Sequence, residues 1–146
     1  MKNAPRTAED FNVFGKSYLP GLFGMEIVAI DDGRVHSRMP IRPEHLAPNG
    51  YLHAASVIAL ADTSCGYGTI IHLPEGAESF TTIELKSNFL GTARTGAIAC
   101  RATRVHGGRL TQVWDAEVKD ESNGRAIAVF RCTQMILYPR AQSPAT

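Results

Sequence analysis

His53-Ala-Ala-Ser-Val-Ile-Ala-Leu-Ala-Asp62-Thr-Ser-Cys-Gly-Tyr-Gly-Thr-Ile-Ile71 is the stretch that decides the fold. With Tyr51 and Leu52 in front, it is a run rich in Ala, Leu, Val and Ile whose one acid is Asp62. Ala and Leu favour helix, the run is longer than ordinary strands, and His72-Leu-Pro-Glu-Gly76 ends it with breakers. A helix apolar nearly all round must be covered nearly all round, so the flanking segments are expected to form its cover.

Those flanks read as strands. Met25 to Ile30 and Arg34 to Met39 are joined by Asp31-Asp32-Gly33, and the second alternates Val35, Ser37 and Met39 against Arg34, His36 and Arg38. After Gly76 come four more runs: Ser79 to Leu90, Ala97 to Val105, Leu110 to Lys119, and Arg125 to Tyr138. His106-Gly-Gly-Arg109 and Ser122-Asn-Gly124 are hairpin connections, and Gly91 to Gly96 is a longer loop. Ile83, Leu85 and Phe89 alternate with Glu84, Lys86 and Asn88; Leu110, Trp114, Ala116 and Val118 oppose Thr111, Asp115, Glu117 and Lys119. Upstream, Thr7 followed by Glu9 and Asp10 opens a short helix over about residues 7–16, and Pro20, Gly21 and Gly24 mark a loop. Residues 141–146 read as a loose tail. The expectation is an α+β fold, an antiparallel sheet wrapped around one long central helix. It forms a single domain over residues 1–146 with its core at about 25–138.

Composition bounds the function. The apolar fraction of 44% and charged fraction of 20% are those of a globular chain, and a net charge of +1 gives no field for nucleic acid. No apolar run reaches the roughly 20 residues of a bilayer span, so no membrane is expected. Met1 to Arg6 lack a secretory apolar region, and Cys65, Cys100 and Cys132 are odd in number and widely spaced; both suggest a cytoplasmic protein with buried reduced thiols. The five histidines have no metal-ligand spacing, and no G-x-S-x-G elbow or phosphate-binding glycine loop occurs, so no metal or cofactor is expected. Between Leu85 and Trp114 there is no acid, while Lys86, Arg94, Arg101, Arg104 and Arg109 all fall there. This is either a phosphate-facing strip or the solvated side of a sheet.

One segment resembles a known family. His45-Leu-Ala-Pro-Asn-Gly-Tyr-Leu-His53-Ala-Ala followed by Asp62, with Thr82-Ile-Glu-Leu-Lys-Ser-Asn-Phe-Leu-Gly-Thr-Ala-Arg94 downstream, is similar to the 4-hydroxybenzoyl-CoA and phenylacetic-acid-degradation thioesterases. These are hotdog-fold enzymes in which a loop, a His-Gly-Gly and a helical carboxylate follow at fixed spacing. The resemblance implies an acyl-CoA thioesterase, with Asp62 as general base or nucleophile and the Ala54 backbone N–H as oxyanion donor. It also implies His53 as an orienting histidine and Thr82 as a hydroxyl beside the carboxylate. The sequence departs from the pattern twice. His-Gly-Gly is His53-Ala54-Ala55, which leaves the backbone donor in place. Ala47 stands where relatives often carry Asn or Gln, so Asn49, in what otherwise reads as an Asn49-Gly50 turn, becomes the substitute for holding the substrate. Lys86 and Arg94 are the candidates for the nucleotide phosphates.

Helix geometry adds a constraint. His53 and Asp62, nine residues apart, lie about 180° around the axis and roughly 13.5 Å along it, so they cannot meet at one substrate within one chain. If both serve catalysis, the helix N-terminus of one chain meets the carboxylate of another across a two-fold axis. The minimal unit is then a homodimer, with a homotetramer as the expected assembly, acting on a small aromatic or medium-chain acyl-CoA. The alternatives are a non-catalytic acyl-CoA-binding module and, on the same fold, a hydratase or dehydratase pairing His45 with Asp62.

Overall fold

The apolar run folds as one helix, α3 (Ala54–Ile71), in the computed structural model, which describes residues 4–140. His53 starts it from an extended conformation (φ −68, ψ 135), and its Nδ1 accepts the Ala55 N–H at 3.0 Å. Within the helix, the Ser64 and Thr69 hydroxyls turn back onto the Leu60 and Cys65 carbonyls, so apolar surroundings hold no stranded hydroxyl there. By length and composition alone the helix is long and apolar enough to cross a membrane. Yet 61% of it is buried within the chain, as in a core helix.

Around α3 the strands β1 (Glu26–Asp31), β2 (Arg34–Pro40), β3 (Ser79–Phe89), β4 (Ala97–Gly107), β5 (Thr111–Asp120) and β6 (Ala126–Leu137) form one sheet. Its order is β1-β2-β4-β5-β6-β3, with every neighbouring pair antiparallel. This is the expected antiparallel sheet curled round a helix. Its inward face supplies Val35, Met39, Ile98, Trp114, Val118 and Phe130 to the core. Trp114 is fully buried because Gly68 on α3 leaves room for its ring. A Cβ added at Gly68 would lie 2.3 Å from the ring, so Gly68→Ala should destabilise by about 3 kcal/mol, read as a lowered denaturation midpoint.

Before the sheet, α1 (Ala8–Gly15) carries a capping box between Thr7 and Asp10, and Asn12 pins it to β1 through both its amide groups and the Ile27 backbone. The Pro20-Gly21 segment, expected as loop, is instead a short helix, α2 (Leu19–Leu22). Proline is tolerated at the first helical positions, and Gly21 lets this turn sit against the Lys16 backbone.

Three expectations need correction. Leu110 is exposed and precedes β5; the inward residue is the buried Gln112, which accepts from Trp114 Nε1 and donates to the His72 carbonyl. Ile83 does not alternate with its neighbours, because the β3–β6 register shifts between Thr82 and Glu84 and makes it a bulge. The helix is not covered all round: Ala55, Ile58, Ala59, Asp62 and Thr63 form an open stripe, since β3 is an edge strand that runs past it. The expected tail at 141–146 lies outside the described residues.

Candidate active site

Asp62 sits half-buried on the open stripe of α3. Opposite Gln134 on β6, Thr82 of β3 turns inward just before the bulge, and its Oγ1 approaches Asp62 Oδ1 at 3.2 Å and Gln134 Oε1 at 2.8 Å. Desolvation raises the Asp62 pKa above the ordinary carboxylate value, and the Thr82 and Gln134 side chains partly offset that rise. A carboxyl held in this way is a stronger base than a solvated one.

Beside it lies a cleft of about 320 Å³ between the N-terminal helices and the α3–β3 edge, lined by Phe14, Pro20, Gly66, Tyr67, Ile70 and Phe80. Asp62 is the only charged side chain in that lining. Phe11 stacks on Tyr67 with centroids 4.5 Å apart and holds the cleft's aromatic wall, while Gly66 lets the Phe80 ring approach the helix. Tyr67 and Phe80 line this cleft, whereas Trp114 is core and Phe89 is 45% exposed.

A second cluster gathers at the N-terminal end of α3, about two turns before Asp62. His53 takes the Ala55 amide, while the Ala54 N–H has no partner among the described residues. Asn49 Oδ1 accepts the Tyr51 N–H, and Gly50 turns the chain at φ +82, which a side chain would disfavour. The Arg94 guanidinium lies over the Tyr51 ring, 4.5 Å from its centroid, and Thr92 Oγ1 accepts the Leu52 N–H at 3.2 Å. The β3–β4 loop is thereby tied to the loop ahead of the helix. Asn49, Gly50, His53, Ala54 and Arg94 share this end, whereas Asp62 and Thr82 meet at the middle of the helix.

Much of the basic run is the solvated side of the sheet, one of the two alternatives its sequence left open: Lys86 and Arg101 line an outer groove together with Asp115 and Glu117. Lys86 pairs in register with Arg131 on the sheet's outer face, away from Asp62. Arg101 is bound to Glu117 at 3.3 Å, and Arg109 lies over Tyr138. The acids came from β5, beyond the acid-free segment, so strand pairing neutralised what the linear sequence had segregated. His45 is buried at the N-terminal end of α3, packed on Phe23 with Nδ1 accepting from the Arg42 amide, and burial lowers its pKa. Within one chain it lies outside the Asp62 cleft, and at 1% exposed it presents no face to a substrate, which disfavours the His45–Asp62 pairing of a hydratase. Gln134 was missed; its one signal was a polar residue at an inward position of an otherwise apolar alternation, beside Cys132 and Ile136.

Comparison with known proteins agrees with this architecture. The chain belongs to the thioesterase superfamily, whose family model matches residues 49–127. It is 28% identical to a 1,4-dihydroxy-2-naphthoyl-CoA hydrolase of Listeria monocytogenes over 75% of this chain and 88% of that protein. With the putative esterase ComA2 of Bacillus subtilis the identity is 31%, covering 78% and 90%. Among solved structures, thioesterase HI1161 of Haemophilus influenzae superposes with a TM-score of 0.85 at 27% identity, covering 92% of each chain. The fold is therefore the hotdog, and the protein is a thioester hydrolase of the acyl-CoA type.

Proposed function

We infer that the protein hydrolyses a small aromatic acyl-CoA to the free acid and CoA, in a site shared between two copies of the chain. The observation that carries this reading is Asp62, a desolvated carboxylate at the mouth of a cleft walled by Phe14, Tyr67 and Phe80. About 320 Å³ is the size of a small-ligand pocket, and its aromatic walls suit a flat acyl group. The naphthoyl-CoA hydrolase among the relatives supports the same substrate class.

Asp62 acts as general base on water, or attacks the thioester itself, while the Ala54 amide of the other chain and the positive end of its helix stabilise the oxyanion. The Arg94–Tyr51 corner beside that amide is the place for the nucleotide phosphates. Two features support the pairing of chains. Asp62 and Ala54 lie eight residues apart on one straight helix, roughly 12 Å along its axis. The open stripe of α3 adjoins an apolar edge in which Ile83 is 54%, Leu85 40% and Phe89 45% exposed, a surface that a second copy would cover.

Thiol release across a panel of CoA esters tests the assignment. Aroyl-CoA esters should give kcat/KM at least about 10-fold above medium-chain esters, the discrimination expected of one well-filled hydrophobic pocket. Tight binding of intact aroyl-CoA with no thiol released over hours would instead establish a binding module.

A further inference from the structure

We propose that Gln134 is a positioning residue for Asp62: its buried amide, turning end for end, lets the Thr82 hydroxyl support the carboxylate in both protonation states of the cycle. This rests on the reading of Asp62 as the catalytic carboxylate. Gln134 is fully buried, and its amide spans Thr82 Oγ1 at 2.8 Å and Cys132 Sγ at 3.3 Å.

Thr82 has one proton for two neighbours. An ionised Asp62 offers no proton, so Thr82 must donate to Oδ1 and accept from the Gln134 Nε2–H, with Oε1 turned toward the Cys132 thiol. A protonated Asp62 reverses the chain: its O–H donates to Thr82 Oγ1, Thr82 donates to Gln134 Oε1, and Nε2 donates to Cys132 Sγ. The structure holds the second orientation, with Oε1 on Thr82 and Nε2 on Cys132. Glutamine carries a donor and an acceptor that a half-turn exchanges, and an apolar residue or an ionised acid offers neither option.

In hydrolysis, Asp62 takes one proton of the attacking water as its oxygen bonds to the thioester carbon. That proton leaves for the CoA sulfur as the C–S bond breaks. The relay then turns over once in each direction per cycle.

The other titratable groups near Asp62 are Cys65 and Tyr67, both on α3, and Cys132 on β6, which lies against Cys65. Burial pushes the Cys65 thiol well up and raises the Tyr67 phenol, so both stay neutral and neither competes for the charge. No Lys, Arg or His lines the cleft.

The test is the pH dependence of kcat/KM on an aroyl-CoA for the wild type, Gln134→Met, Thr82→Val, the double variant and Asp62→Asn. The acid limb rises as Asp62 ionises. The Thr82 and Gln134 contacts hold the Asp62 pKa below what burial alone would set, so they support the ionised acid more than the neutral one, and Gln134→Met moves the limb up by about one pH unit, an about 10-fold loss on the acid side and a smaller one on the plateau. Thr82→Val moves it the same way, and the double variant moves it by clearly less than the sum of the two single shifts, because Gln134 acts in large part through that hydroxyl. An unmoved limb in Gln134→Met, or shifts that add in the double variant, overturns the proposal. If Gln134→Met does not fold, Gln134→Glu keeps the shape and puts a second carboxyl on the Thr82 hydroxyl; the limb again moves up, and an unmoved limb again overturns the proposal. Asp62→Asn separates the two readings. Retained turnover there removes the carboxylate assignment itself, whereas an inactive Asp62→Asn beside an unmoved Gln134→Met limb removes the relay alone.

Discussion

Asp62→Asn should lower kcat by about two orders of magnitude or more, at least roughly 2.7 kcal/mol of barrier, with the fold intact. The half-buried carboxyl is the only charged group in the cleft and is held by Thr82. An amide of the same shape keeps the Thr82 contact but cannot accept a proton or attack a thioester. Stability should move the other way. Desolvation raises the folded-state pKa of Asp62, so the folded chain favours the neutral acid. That preference contributes stability below the ordinary carboxylate value and is lost as pH rises through the raised one. At neutral pH the ionised group is therefore a liability, and Asp62→Asn should melt at the same temperature as the wild type or higher. Single-turnover thiol release and a thermal melt on one preparation check both signs.

Ala54→Pro should cost about 10²–10³ in kcat, the usual effect of deleting one oxyanion donor, with little change in stability. The backbone makes this substitution unusually clean. Ala54 is the first residue of α3 and exposed, and its N–H has no partner among the described residues. His53 already has the extended conformation that a following proline requires. Proline is tolerated at the first helical position, so the change removes one N–H and almost nothing else. The matching control is Ala54→Ser, which keeps the amide and should keep kcat. A kcat for Ala54→Pro within about twofold of wild type would place the oxyanion elsewhere.

Much of the fold could be read from the chain because local signals were consistent with one another. The breakers after Ile71 end α3 where expected, and the turns at Gly33, Gly108 and Gly124 separate strands whose alternation is plain. What stayed hidden depends on pairing. The bulge at Ile83 is a property of the β3–β6 register and leaves no mark on β3 alone. The acid-free stretch from Lys86 to Arg109 left a phosphate-facing strip and a solvated sheet side both open, because the choice depends on β5, which sets Glu117 against Arg101, and Asp115 against Arg131 on β6. The α2 turn was masked because Pro20 and Gly21 break a helix in mid-course but not in a four-residue turn.

The candidate site divides in the same way. Asp62 is conspicuous as the one acid in an apolar helix, and Thr82 followed from resemblance. Gln134 is remote in sequence and meets Asp62 only through strand order, because β6 lies between β3 and β5. The open stripe on α3 was equally hidden: an apolar helix announces that it will be covered, not whether its own chain or another supplies the cover.

The central claim, that each site draws Asp62 from one chain and the Ala54 amide from another, is tested most directly by mixing the two inactive variants. Asp62→Asn and Ala54→Pro chains, co-expressed with different tags, form about one half mixed dimers. Each mixed dimer holds one site with both defects and one site with neither, so activity should recover to about one quarter of wild type. Activity that stays at the level of the two parents, with mixed dimers present by tag capture, would contradict the shared site.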